Sequence, residues 1–109
     1  MEKEGSYHHG DLRQALIDAS LALIEEGGVQ ALSLRKAARR AGVSPGAPYH
    51  HFPSRSALLA ALSIEGFTRL HAKLDEVRAC CDGPEARLGA CGRAYIAFAR
   101  EHPAYFRVM

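Results

Sequence analysis

SLRKAARRAGVSPGAPYHHF, residues 33 to 52, is the stretch whose reading decides the fold. Leu34, Ala37, Ala38 and Ala41 recur at the spacing of one helical face, and Arg35, Lys36, Arg39 and Arg40 occupy the other. Gly42 follows at once, where a helix commonly ends in the left-handed conformation. Val43 is then an apolar plug, Ser44 an N-cap, and Pro45 a first helical residue whose missing N–H costs nothing. These features predict a second helix that runs to about His51 before Pro53 stops it. Ala37 and Ala38 are small enough for two helices to pack closely across so short a turn. The pattern is that of a helix-turn-helix.

Charge around this stretch is segregated. No acidic residue lies between Glu26 and Glu65, whereas Arg35, Lys36, Arg39, Arg40 and Arg55 all do. The first turn after Ser33 carries Arg35 and Lys36, although the positive end of a helix dipole favours acids. Position 36 is not Glu or Gln, so no capping box forms with Ser33. Such a start is balanced if the anion comes from outside, as a phosphate would. Basic residues alone would read as a solvated face; joined to the turn pattern they point to nucleic acid.

Whole-chain properties are less telling. The 109 residues leave room for one small domain, or one and part of another. A hydrophobic content of 48%, a charged content of 24% and a net charge of +2 are ordinary for a globular chain. Charged residues interrupt every apolar run, so neither a signal peptide nor a membrane span is expected. Cys80, Cys81 and Cys91 are odd in number and lack C-x-x-C spacing, which fits reduced thiols in a cytoplasm.

Residues 1 to 6 read as a polar arm, and Tyr7-His8-His9-Gly10-Asp11 leads into a first helix that Gly27-Gly28 ends. Leu12, Leu16, Ala19 and Leu23 mark its apolar line, widened by Ala15, Ile17, Leu21 and Ile24. Adjacent histidines point in different directions, so His8-His9 is no metal site. A long helix, capped by Ser54, is predicted from Arg55 to about Arg78, with Leu58, Leu59, Leu62, Gly66, Leu70, Leu74 and Val77 on its apolar face. Cys80 to Gly83 break the chain, and Pro84-Glu85 opens a further helix whose expected inner face is Leu88, Cys91, Tyr95, Phe98 and Ala99. Pro103 ends it. Tyr105, Phe106, Val108 and Met109 would then form an exposed patch, from which a longer parent protein is expected.

The runs YHHGDLRQALIDASLALIEEGG and ALSLRKAARRAGVSPGAPYHHFPSRSALLAAL resemble the DNA-binding domain of the tetracycline-repressor (TetR) family of bacterial transcriptional regulators. AYIAFAREHPAYFRVM is similar to the start of the regulatory domain in one branch of that family. The resemblance implies an all-α protein. Residues 1–66 would be a three-helix DNA-binding domain, and 67–109 a connector helix and the beginning of a helical ligand-binding and dimerisation domain. It further implies a cytoplasmic homodimer, bound to double-stranded operator DNA and released by a small-molecule effector, with no enzymatic activity and no cofactor. By the same resemblance Ser33 and Arg35 lie near the DNA backbone, and Arg35 can also reach a guanine edge. Pro45, Gly46 and Ala47 offer no side-chain hydrogen bond, only apolar contact and close backbone approach. Tyr49, His50 and Arg55 would hold phosphates, and Ser44 would cap the second helix and touch one. Pro48 is expected to open the first turn of that helix.

Three other readings compete. An enzyme is disfavoured because no Gly-rich phosphate loop, G-x-S-x-G or paired metal-ligand spacing occurs. A cysteine-based redox or metal sensor would use Cys80, Cys81 and Cys91, against the commoner role of cysteine as a small buried hydrophobe. A helical interaction module without DNA would turn the basic face toward an acidic protein.

Overall fold

The computed structural model describes residues 9–109, with side-chain detail from Asp11 onward. Five α-helices follow in order: α1 (His9–Gly27), α2 (Leu34–Ala41), α3 (Arg55–Ala79), α4 (Pro84–Glu101) and α5 (Pro103–Val108). Short 3-10 segments occupy Val29–Ala31 and Ala47–His50. No strand occurs among the described residues, and the protein is all-α. Two compact units divide the chain between Ala60 and Ala61.

The first unit is built on α1. Leu16, Ile17, Ala19 and Ile24 are buried, and so is Ser20, whose hydroxyl donates to the Leu16 carbonyl at 2.7 Å. That back-bond satisfies a polar group placed one helical turn along a buried face. Gly28, at φ 85, turns the chain out of α1 in a conformation that side chains resist. In α2, Ala37 and Ala38 are 0% and 1% exposed, so the helix lies with its backbone close to its neighbours. Leu32, Leu34, Pro48, Phe52 and Leu58 complete this core. The Arg13 guanidinium covers the Phe52 ring, 5.2 Å from its centroid.

In the second unit, Gly66, Leu70, Ala90, Ala94, Phe98, Ala104 and Tyr105 are buried. Two expectations fail here. Along α4 the inner face is Ala90, Ala94 and Phe98, while Leu88 is 77% and Tyr95 45% exposed. The alanines at i and i+4 permit close approach, and that outweighs the size of the side chains one step round the helix. Tyr105 is buried rather than part of an exposed patch, and only Phe106 of the four named residues is exposed. The absence of a Cβ at Gly66 makes this seating possible. A methyl group there would stand 2.7 Å from Met109 Sδ and 3.3 Å from the Tyr105 ring. The Arg69 guanidinium lies over the Tyr105 ring, 5.2 Å from its centroid.

Candidate nucleic-acid interface

The helix that carries the cations is fixed at both ends. Ser33 adopts the extended cap conformation, and its hydroxyl accepts the Lys36 N–H at 3.0 Å. At the other end Gly42 takes φ 77. Its N–H donates to the Arg39 carbonyl, and the Val43 N–H donates to the Ala38 carbonyl at 3.0 Å. This pair of crossed bonds is the Schellman arrangement, and it explains why the tight turn reads so clearly in the sequence. With Ala37 and Ala38 buried, Arg35, Lys36, Arg39 and Arg40 are all placed outward.

The four cations are not equivalent. Arg40 makes a two-pronged ion pair with Glu26 at the end of α1, at 2.8 Å and 2.7 Å. The Arg40 hydrogen bond holds the Glu26 carboxyl below its ordinary range, and Glu26 in turn raises the Arg40 guanidinium. Arg40 therefore ties α2 to α1. The side chains of Arg35, Lys36 and Arg39 have no hydrogen bond or ion pair with any described residue. Lys36 and Arg39, one turn apart, line a shallow recess with Leu23 and Arg40. The basic stripe signalled these two residues, although Arg35 was the one expected to meet DNA.

The element after the turn differs from the expected helix. It is a 3-10 segment, Ala47–His50, with Gly46 as its N-cap and no side-chain cap. Ser44 contributes its carbonyl, which accepts the Ala47 N–H at 3.0 Å, and Pro45 lies in the turn before the segment. The physical reason is local. Pro48 lacks the N–H that a regular helix would direct to the Ser44 carbonyl, its ring crowds that carbonyl, and Gly46 disfavours a regular helix. Pro48 sits at the second position of the 3-10 segment, where no intrahelical donor is required, and its ring is buried. The opening expected from Pro48 thus extends to the whole element. Ser44, Pro45 and Gly46 are exposed, Ala47 is half-buried, and Tyr49 (57% exposed) and His50 stand outward.

Arg55, at the start of α3, has a task that nothing in its neighbourhood of sequence announces. Its Nε donates to the Leu32 carbonyl at 2.8 Å and its Nη2 to the Val29 carbonyl at 2.7 Å. It therefore holds the turn that leads into Ser33, while Ser54 caps its own helix through the Ala57 N–H at 3.1 Å. The His8-His9 arm lies outside the residues described with side chains. Among the described residues no group of three or more His, Cys, Asp or Glu side chains could hold a metal ion, and no helix is long and apolar enough to cross a membrane.

Comparison with known proteins places this geometry. Residues 16–62 match the model of the bacterial regulatory proteins of the tetR family. The HTH-type transcriptional repressor KstR of Mycolicibacterium smegmatis is 36% identical over 84 residues, which are 77% of this chain and 41% of that protein. The tetracycline repressor protein class D of Escherichia coli is 32% identical over 95 residues, 87% of this chain and 38% of that protein. A solved protein of unknown function from Rhodococcus sp. RHA1 superposes with a TM-score of 0.80 at 43% identity, over 94% of this chain and 54% of its own. The chain thus spans about two fifths of the length of the named repressors. The segment that carries the capped basic helix and its tight turn, residues 16–62, is thus that of the tetR family of bacterial regulatory proteins.

Proposed function

We propose that this chain is the DNA-binding part of a transcriptional regulator, a repressor that a small-molecule effector releases from its operator. The observation that carries the reading is the outer face of α2. Three cations without a partner among the described residues stand on a helix capped at both ends, beside an exposed Tyr49–His50 shelf. A rigid, locally basic surface of this kind suits the phosphate backbone, and a short element beside it suits a groove. Named relatives that are repressors support the same reading.

In this proposal Ser33, Arg35 and Ser44 lie along the backbone, and Lys36 and Arg39 join them. Pro45, Gly46 and Ala47 approach the base edges, with Tyr49 and His50 on flanking phosphates. Arg55 acts first through the turn that it holds, and its Nη1 is left for a phosphate. Residues up to about 66 form the reading domain, and those from 67 begin a domain for effector binding and self-association. Two copies would set their reading elements in successive major grooves. An effector would favour a state in which that spacing is wrong, which weakens DNA binding by differential affinity. The protein acts in the cytoplasm and catalyses no reaction.

The test is binding of the protein to duplex DNA from around its own gene, titrated against salt. Arg35→Ala is expected to weaken binding and to lower the magnitude of the salt slope by about one. Arg87→Ala, on α4, is expected to change neither. Equal behaviour of the two variants would show that the binding face has been misplaced.

A further inference from the structure

Two thiols stand side by side at the turn between α3 and α4. Cys80 is exposed and Cys81 half-buried, and neither is bonded to another cysteine. The commoner role of cysteine, a small buried hydrophobe, therefore does not account for Cys80. The backbone on both sides of the pair is held. The Cys80 N–H donates to the Val77 carbonyl at 3.2 Å and the Cys81 N–H to the Arg78 carbonyl at 3.4 Å. The Cys81 carbonyl accepts from Arg87 Nε at 3.3 Å.

We propose that Cys80 and Cys81 form a dithiol site for trivalent arsenicals, in which one soft atom bridges both sulfurs. Adjacent Cα atoms across a trans peptide are about 3.8 Å apart, shorter than the roughly 4.4–6.8 Å that a disulfide spans. A direct sulfur–sulfur bond is thus strained here, and the two side chains persist as thiols. A larger bridging atom adds one member to the ring and relieves that strain. Tetrahedral zinc would need further ligands, and the described residues offer no third His, Cys, Asp or Glu to complete a cluster. An arsenic that carries one organic group needs only two thiols, and soft sulfur ligands suit it.

The chemistry is a substitution without change of oxidation state. Hydrated phenylarsine oxide carries two hydroxyl groups on arsenic. Each thiol forms an As–S bond as an As–O bond breaks, and each thiol proton leaves with a hydroxyl as water. The product is a cyclic dithioarsonite and two waters.

The full chain is treated with one equivalent of phenylarsine oxide and followed by intact mass and by thiol titration after denaturation. The expected result is one adduct per chain with the loss of two of the three titratable thiols. The adduct is expected to persist in Cys91→Ser, to be lost in Cys80→Ser and in Cys81→Ser, and to be reversed by 2,3-dimercaptopropanol but not by the same excess of 2-mercaptoethanol. Absence of a wild-type adduct, loss of one thiol per arsenic, persistence in either Cys80→Ser or Cys81→Ser, or loss in Cys91→Ser would overturn the proposal. The thiol counts of the wild type and of Cys91→Ser together decide the matter even if a Cys80 or Cys81 variant folds poorly. Its outcome is independent of DNA binding.

Discussion

Replacing Arg55 by alanine removes two hydrogen bonds from a charged donor to the carbonyls of Leu32 and Val29. Bonds from charged groups contribute about 1.5–3 kcal/mol each where water does not compete. The Leu32 bond is part-buried and is assigned the lower end of that range, while the exposed Val29 bond adds only a fraction. The expected loss is therefore about 2 kcal/mol, which lowers a thermal midpoint by roughly 10 °C in a domain of this size. Circular dichroism during thermal and urea unfolding measures it. Arg55→Lys is expected to fall between the two, because a single ammonium cannot serve both carbonyls with the geometry of a guanidinium fork. Under the proposed function, DNA affinity is expected to fall in either variant through the loosened approach to Ser33. The salt slope separates that indirect effect from a direct phosphate contact, which would reduce its magnitude by about 0.9. If Arg55→Ala unfolds at the wild-type midpoint, the two carbonyl bonds do not hold the turn and the reasoning fails.

Two further outcomes follow from the same core. Leu58 is 0% exposed, so Leu58→Ala is expected to cost about 2–5 kcal/mol and to move a urea midpoint by roughly 1–2 M; an unchanged midpoint would mean that the site collapses without loss. The Glu26 carboxyl is held below its ordinary value of 4.5 by Arg40, so it is more acidic in the folded chain than in the unfolded one. Its contribution is fully present above that ordinary value and is lost as pH falls through the lowered one. The stability difference between wild type and Glu26→Gln should accordingly shrink in acid below about pH 4.5, and a difference constant across the acid range would contradict the tether.

What the sequence shows depends on how local the cause is. The α2 helix is legible because its stripe, its Ser33 cap and its Gly42 exit all lie within ten residues and act on neighbouring backbone. The next element is misread for a related reason. Ser44-Pro45 resembles a helix start, but Gly46 and Pro48 withdraw the support that a regular helix needs, and a 3-10 segment remains. On α4 the large residues Leu88 and Tyr95 suggested the inner face, whereas packing selected Ala90 and Ala94. The partners of Arg40 and Arg55 lie 14 to 26 residues away, beyond any periodic pattern. A basic stripe shows where cations stand. It does not show which of them are already taken.

The 3-10 form of residues 47 to 50 carries a consequence for how this surface can change. With three residues per turn, side chains at i and i+3 eclipse one another. Ala47 and His50, three residues apart in the segment, therefore share one line along it. A larger residue at 47 would displace the ring at 50, so the effects of the two positions do not add. In an α-helix the two positions would be turned about 60° apart and would crowd each other less. Here a new preference would have to arise in both at once, which makes the pair a single unit of inheritance.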